Sequence, residues 1–312
     1  MRALRRILKT PAELALARLG PASRARRRAV GDTVILAYHD IVPDGFEPAG
    51  DRSLHLPRRE FAAQLDRLVE THRVVALADW CPGEQRSDDR SGDRRPRAIV
   101  TFDDAYLGAV TCGVEELVAR GLPATIFVVP GRLGRCTFWW DRLADPGLGA
   151  PAPAVRARAL DRLEGRDEAV AAWSRETGLP STEPPIHAST ATEAELAHAA
   201  GQPGITLGSH TWTHANLAAL GPEALDRELG AAAEWLEARF ERYIPWVSYP
   251  YGLRSPQATA RAARWYRGGL RIEGGFARAD DDPFEIPRVN IPYGASLAGF
   301  ELRAAGLVGT AP

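Results

Sequence analysis

Short apolar segments alternate with helical patterns from residue 31 onward, and this alternation constrains the fold more than any other feature of the chain. Apolar runs of about four to eight residues predict buried strands, and apolar residues at helical spacing predict helices between them. Strands are predicted at 33–38, 74–77, 98–102, 124–129, 205–208, 246–249 and near 284–291. Helices are predicted after Pro57, over 107–120, from Pro222 and over 256–267. Such units predict an α/β fold, either a parallel barrel or a doubly wound sheet, with function at the carboxyl ends of the strands.

The alternation weakens between residues 135 and 203, which hold an aromatic cluster, an Ala/Pro/Gly-rich stretch and a charged helical segment at 153–177. Thr192 and Glu195 have the spacing of a capping box, which predicts a short helix. We expect this region to be an insertion, or lid, between two strands of one catalytic domain that spans residues 31–312. A Gly/Ala-rich tail follows the last strand-like piece near 284–291.

Composition excludes several classes of protein. Hydrophobic residues make up 45% and charged residues 25% of the 312 residues, which is the balance of a soluble globular protein. The three cysteines lie far apart, which argues against a disulfide framework and favours a reducing compartment. No apolar run reaches about 18 residues, so no membrane-spanning helix is predicted.

The amino-terminal segment, residues 1–30, is basic, with nine Lys and Arg against one acidic residue. Arg and Pro interrupt every apolar stretch in it, so we predict no secretory signal peptide and a cytoplasmic location. Apolar residues from Leu4 to Leu14 share one helical face. This pattern fits either a surface helix or arm, or peripheral contact of residues 1–20 with the inner face of a membrane. The remaining chain is acidic and no Gly-rich loop follows a strand, so we expect no nucleic-acid or nucleotide partner.

Titratable side chains follow three of the predicted strands. Asp103 and Asp104 end one strand, His210 and His214 follow another, and His39 follows the first. Adjacent carboxylates are costly there unless a cation or hydrogen bonds compensate them, and imidazoles one helical turn apart can chelate one ion. A helix cap or hydrogen-bonded rim residues would explain each group separately. Because parallel strands bring their carboxyl ends to one edge, we expect these groups to meet.

Together these residue types predict metal-assisted hydrolysis. One carboxylate and two imidazoles would hold a divalent ion, with zinc as the default and cobalt, nickel or iron as alternatives. The second carboxylate could act as general base, a histidine across the site as general acid, and a backbone N–H as part of an oxyanion hole.

Four motifs resemble those of the polysaccharide deacetylase family, the NodB-homology domain of carbohydrate esterase family 4. They are LAYHDI at 36–41, TFDD at 101–104, SHTWTH at 209–214 and SYPYG at 248–252. The resemblance covers about residues 32–295 and implies a deformed (β/α) barrel of about seven strands that removes N- or O-linked acetyl groups from sugars. By position it implies the general base Asp103, the metal ligands Asp104, His210 and His214, and an oxyanion-hole amide at Tyr251.

Two departures from the family pattern bear on catalysis. The usual proton donor is a histidine in a late Leu-x-His motif, but no histidine follows His214. Members similar to the biofilm poly-N-acetylglucosamine deacetylases use the histidine of an early Tyr-His motif, and His39 matches it, so the resemblance assigns His39 the acid role. The common Arg-x-Pro-Tyr motif reads SYPY at 248–251, without the arginine that orients the base. We predict that Arg288 replaces that arginine.

Five further residues are candidates for substrate contact. Trp139 and Trp140 could stack on sugar rings and Asp141 could bind hydroxyls, while the core of a lid is the alternative for this cluster. Tyr249 and Pro250 belong to the turn after the strand at 246–249 and complete the set.

The leading hypothesis is a metal-dependent deacetylase of N-acetylated sugars, whether in a polysaccharide, an oligosaccharide or a lipid- or nucleotide-linked precursor. A cytoplasmic location would favour a precursor. An amidohydrolase acting on a non-sugar C–N bond and a non-catalytic sugar-binding member of the fold stay open as alternatives. The sequence predicts no oligomeric state.

Overall fold

The computed structural model describes residues 32–80, 93 and 95–307. The basic amino-terminal segment, with its predicted membrane contact, lies outside the described residues, as does most of the polar loop that follows residue 80. Within the described part of the chain, no helix is both long and apolar enough to cross a bilayer.

The strands are β1 (Thr33–Tyr38), β2 (Asp40–Val42), β3 (His55–Pro57), β4 (Arg73–Val74), β5 (Arg97–Phe102), β6 (Ala124–Val128), β7 (Ala144–Asp145), β8 (Ala150–Pro151), β9 (Ile205–Ser209), β10 (Tyr243–Ser248), β11 (Gly268–Arg271), β12 (Ile286–Pro287) and β13 (Val289–Asn290). The helices are α1 (Arg58–Thr71), α2 (Val114–Ala119), α3 (Trp139–Arg142), α4 (Pro153–Arg162), α5 (Asp167–Thr177), α6 (Glu193–Ala200), α7 (Pro222–Arg239), α8 (Pro256–Ala262) and α9 (Leu297–Ala304).

Among the residues that the structure describes, nine parallel strands form a sheet that curves into a barrel. The hydrogen-bonded order is β12, β11, β10, β9, β6, β5, β1 and β13, and β4 also pairs with β5. β12 pairs with β11 and β13 pairs with β1, although only Arg288 separates β12 from β13 in the chain. One short segment therefore joins the two ends of the sheet. This topology confirms the (β/α) barrel and excludes the doubly wound sheet.

Alternation along the strands decides which side chains enter the barrel. Ile35, Ile99 and Phe127 come from three neighbouring strands and pack together in one buried cluster. Residues two apart on a strand share a face, so His39 lies on the face of Ile35, and Asp103 lies on the face of Ile99. The same alternation that fills the barrel with apolar side chains thus carries polar groups into its carboxyl end.

Several elements differ from the sequence predictions. The Gly/Ala-rich tail, for which no helix or strand was predicted, forms α9. This helix buries Phe300 and Leu302 and packs on α1. β11 was not predicted, since its two glycines weaken the strand pattern. A Cβ at Gly269 would lie 2.1 Å from the hydroxyl of Tyr249, which explains the glycine. The helix predicted over 107–120 is present, but it contains a π-helical stretch, Ala109–Gly113, ahead of α2.

The segment that was predicted to be an insertion, residues 135–203, lies between β6 and β9. These two strands pair directly with each other, and the chain between them forms α3 to α6 and the small β7–β8 pair before it returns. The capping box of Thr192 and Glu195 is present at the start of α6 and confirms that prediction. The insertion contacts the barrel through the aromatic residues described below.

Candidate active site

The carboxyl ends of β1, β5 and β9 bring the predicted catalytic groups to one edge of the barrel. Asp103 and Asp104 follow β5, His210 follows β9 and His39 follows β1. Asp104 has a φ of 71°, in the left-handed region that non-glycine residues rarely adopt. Such strain costs about 1–3 kcal/mol and typically persists at functional sites, where it turns a side chain out of the regular strand direction.

Asp104, His210 and His214 converge on a common point. Oδ1 of Asp104 lies 3.5 Å from Nε2 of His210 and 3.3 Å from Nε2 of His214, and the two Nε2 atoms are 3.2 Å apart. A tetrahedral ion about 2.0–2.1 Å from each ligand separates its ligand atoms by about 3.3 Å. The three residues are buried, and Oδ1 of Asp104 has no hydrogen-bond partner among the described residues. The donor atoms and their spacing therefore fit a divalent metal.

The electrostatics of this group also fit a cation. Burial and the neighbouring Asp103 raise the pKa of the Asp104 carboxyl well above its usual range. Burial lowers the pKa values of His210 and His214, which keeps both imidazoles neutral. Neutral imidazoles are the forms that ligate metals, and a bound cation would stabilise the ionised form of Asp104.

A loop, and not the expected helical turn, produces the spacing of the two histidines. Thr211 and His214 have φ values of 64° and 65°, so the backbone adopts the left-handed conformation at two positions after β9. Glu228 of α7 holds this loop, because its carboxylate accepts hydrogen bonds from the backbone N–H of Thr213 at 2.8 Å and from its hydroxyl at 2.6 Å. Glu228 was not predicted from the sequence. Its position three residues after the buried Leu225, on the inner face of a helix, was the available signal.

Arg288 forms a two-point ion pair with Asp103. Its Nη1 and Nη2 atoms donate to the two carboxylate oxygens at 2.8 and 2.7 Å, and Nη2 also donates to the hydroxyl of Ser248 at 2.6 Å. Burial acts to raise the pKa of Asp103, but the charge and the hydrogen bonds of Arg288 oppose it, and that pKa lies below its usual range. The carboxylate is thus ionised and fixed in orientation. This is the contact that the orienting role predicted for Arg288 requires.

His39 lies partly buried at the end of β1. Burial lowers the pKa of His39 to about 4, against the opposing effect of Asp103. The imidazole is therefore neutral near pH 7, and any role as a proton donor requires that it gain a proton during the reaction.

We call Asp104, His210 and His214 the metal-ligand group. The turn that carries Tyr251 lies against His214 of this group. Tyr251 has a φ of 59°, and its ring packs edge-on to that of His214, with centroids 4.5 Å apart. Its hydroxyl donates to the carbonyl of Gly165 at 3.0 Å and accepts from Nε1 of Trp139 at 3.0 Å. Two contacts from the insertion therefore fix the turn whose amide was predicted to form an oxyanion hole.

The predicted substrate contacts lie mostly inside the protein. Trp139 and Asp141 are 0% exposed and Trp140 is 4% exposed, which agrees with the core of a lid more than with a sugar-binding surface. Tyr249 is also fully buried, and its hydroxyl donates to the carbonyl of Phe284. Pro250 is likewise buried. These side chains therefore have little surface free for direct contact with a sugar.

A second buried group of carboxylates and histidines was not predicted. His55 lies between two carboxylates, with Nδ1 2.8 Å from Asp40 Oδ2 and Nε2 2.9 Å from Asp141 Oδ1. Nδ1 of His187 is 2.7 Å from the same oxygen of Asp40. We call Asp40, His55, Asp141 and His187 the carboxylate–imidazole network. It was missed because its members are widely separated in the sequence and only the insertion brings Asp141 and His187 to the barrel.

The chain is similar in sequence to known proteins of one family. The model of the polysaccharide deacetylase family matches residues 90–266. YxkH of Bacillus subtilis (strain 168), a candidate polysaccharide deacetylase, is 23% identical over 271 residues, which cover 85% of this chain and 74% of YxkH.

Two solved structures share the fold at low sequence identity. IcaB from Ammonifex degensii has a TM-score of 0.59 and 18% identity, and the match covers 88% of this chain and 97% of that chain. The Streptococcus pyogenes deacetylase PplD, in complex with acetate, has a TM-score of 0.58 and 17% identity over 88% of this chain and 98% of its own.

Proposed function

Since the chain belongs to the polysaccharide deacetylase family, we propose that it is a metal-dependent hydrolase that removes acetyl groups from N-acetylated sugars. The observation that carries this proposal is the convergence of one oxygen of Asp104 with the Nε2 atoms of His210 and His214, at separations of 3.2–3.5 Å. A sugar-binding protein without catalytic activity has no need for such a group beside an ionised carboxylate.

The roles of the residues follow from their contacts. Asp104, His210 and His214 would hold the ion, which when bound would polarise the acetyl carbonyl and make water a better nucleophile. Asp103 would take a proton from the attacking water, because Arg288 keeps it ionised and in one orientation. An oriented general base typically contributes a rate factor of about 10²–10⁴.

His39 and Tyr251 complete the proposed mechanism. The backbone N–H of Tyr251 would donate to the oxygen that becomes negative when water adds to the carbonyl carbon. His39 lies on the inward face of β1, and Asp103 is the carboxylate that most raises its pKa. We assign His39 the transfer of a proton to the nitrogen that leaves, after it has taken up that proton in the substrate complex.

The substrate class is part of the proposal. PplD, a deacetylase, was solved with acetate, which is the product expected here. The basic segment at residues 1–20 supports a lipid-linked sugar precursor over a finished polymer, with zinc as the proposed ion. We also propose that the catalytic domain comprises residues 31–312 with its insertion at 135–203. The cytoplasmic location stays a prediction.

Acetate release from N-acetylglucosamine and its oligomers, with zinc or cobalt supplied, tests the function. We expect Asp103→Asn to lower kcat at least about 100-fold without loss of the ion, because only the proton acceptor is removed. Asp226→Asn, at an exposed ion pair on α7, is the control and should match the wild type.

Other outcomes would contradict the proposal. Ammonia without acetate, from a panel that includes non-sugar amides, would favour the amidohydrolase. Sugar binding without turnover, unchanged in Asp103→Asn, would favour the non-catalytic sugar-binding protein.

A further inference from the structure

The two histidines of the metal-ligand group are held in different ways. Nδ1 of His210 donates to the backbone carbonyl of Ser248 at 2.7 Å, which is the usual second contact of a metal-binding histidine. Nδ1 of His214 is buried and has no hydrogen-bond partner among the described residues. The orientation of the His214 ring must therefore come from packing.

Aromatic rings surround His214. The ring centroid of Trp140 lies 4.8 Å from that of His214, Tyr251 lies 4.5 Å away on another side, and Phe138 lies 5.7 Å away. Phe138 stacks on Trp140 with centroids 4.4 Å apart and planes at 6°. The position of the Trp140 ring thus limits how His214 can rotate.

A chain of hydrogen bonds holds the Trp140 ring. Its Nε1–H donates to the hydroxyl of Tyr106 at 2.8 Å, and that hydroxyl donates to Oδ2 of Asp141 at 2.6 Å. Tyr106 and Asp141 are 0% exposed, so water does not replace these bonds in the folded protein. Tyr106 also follows the ligand Asp104 by two residues, which connects the same chain of bonds to a second ligand.

The other oxygen of Asp141 is fixed by the carboxylate–imidazole network. Oδ1 accepts from the backbone N–H of Asp51 at 3.0 Å and lies 2.9 Å from Nε2 of His55. Since both nitrogens of His55 face carboxylates, both carry hydrogen and the ring is an imidazolium. Burial lowers the pKa of His55, but Asp141 and Asp40 outweigh it and raise that pKa to about 10. The positive ring offsets the buried charge of Asp141.

We propose that Tyr106, Trp140 and Asp141 are positioning residues for the metal ligand His214. They substitute for the hydrogen bond that His214 lacks, by fixing the indole against which its imidazole packs. The inference rests on the metal site of the proposed function. It goes beyond that function because none of the three residues is among those proposed to hold the ion or to transfer protons.

Tyr106→Phe tests the proposal, since it removes one hydroxyl and keeps the ring. We expect its zinc dissociation constant, measured by competition with a chromophoric chelator, to rise about tenfold or more. The visible absorption spectrum of the Co²⁺-saturated protein should also change, because it reports the geometry of the ligands. Tyr38→Phe is the matched control, because the Tyr38 hydroxyl is also buried but donates to Gln64 of α1. This variant should keep the wild-type zinc dissociation constant and Co²⁺ spectrum.

Trp140→Phe provides a second variant, which removes the N–H donor and keeps an aromatic ring. It should weaken zinc binding like Tyr106→Phe. Wild-type dissociation constants and spectra in both variants would overturn the proposal. Equal losses of zinc affinity in Tyr106→Phe and Tyr38→Phe would also overturn it, because they would indicate a general loss of packing. Absence of bound zinc and cobalt in the wild type would instead overturn the metal site itself.

Discussion

Two buried groups in this protein each contain two histidines, with one aspartate in the metal-ligand group and two in the carboxylate–imidazole network, but their geometry differs. In the metal-ligand group the polar atoms are 3.2–3.5 Å apart. In the carboxylate–imidazole network the Nδ1 atoms of His55 and His187 are 2.8 and 2.7 Å from one oxygen of Asp40. The first set of distances is that of ligands around an ion, and the second is that of hydrogen bonds.

The comparison shows that residue type alone does not identify a metal site. Both groups are near enough to be metal candidates by proximity, since their ligand atoms lie within 4.8 Å of one another. In the network, the hydrogens of the two imidazoles already occupy the space between nitrogen and oxygen. In the metal-ligand group the three atoms face each other with room for a cation at their centre.

Among the variants that distinguish the two groups, the double variant His210→Ala/His214→Ala should have the largest effect, and this effect is on zinc content. We expect metal content to fall from about one zinc per chain to none, because a single carboxylate does not hold zinc. Metal analysis of the protein after a chelator wash and zinc reloading measures it. His187→Ala, which removes a buried histidine of the other group, should keep its ion. Loss of zinc in His187→Ala alone would reverse the assignment of the two groups.

Arg288→Lys should separate binding of the ion from use of the base. Lysine keeps the positive charge but cannot donate to both oxygens of Asp103, so we expect kcat to fall about 10–100-fold while zinc content is unchanged. Steady-state acetate release and metal analysis measure the two effects. Arg271→Lys, one strand away on β11, is the control. An Arg288→Lys variant within threefold of the wild-type kcat would contradict the orienting role.

His55→Gln should affect folding stability and its dependence on pH. Removing the imidazolium leaves buried carboxylates unpaired, so the free energy of unfolding should fall by about 3 kcal/mol near pH 6. The folded-state pKa of His55 is raised to about 10 by Asp141 and Asp40, so this stabilisation is complete below the unfolded pKa of about 6.5 and is lost as the pH rises toward 10.

Urea denaturation of the zinc-loaded wild type and variant between pH 6 and 10 measures this difference. Asp40 and Asp141 face the His55 nitrogens, while His187 and Tyr106 pack beside the ring. His72→Gln is the control, because it removes the hydrogen bond between another buried histidine and the Ala304 carbonyl. It should lower the free energy of unfolding by about 1 kcal/mol. A difference between wild type and His55→Gln that grows with pH would contradict a charged His55.

The sequence by itself determined the barrel and most of the polar residues at the carboxyl ends of its strands. The period-two pattern of β1 and β5 places His39 and Asp103 on the inward face, and the end of each strand is marked where apolar residues give way to polar ones. Arg288 could be predicted because it lies in the last strand-like segment, and strands of one sheet end at one edge. These inferences needed only local patterns and the direction of parallel strands.

Only the tertiary structure decided which buried carboxylates and histidines have the spacing of metal ligands and which are hydrogen-bonded to each other. Asp141 lies 86 residues from His55, and Asp40 lies 147 residues from His187, so no local pattern connects them. The loop of His210 and His214 likewise depends on a left-handed backbone held by Glu228 from a distant helix. Differences of less than 1 Å between polar atoms separate ligation from hydrogen bonding, and packing between distant segments sets those distances.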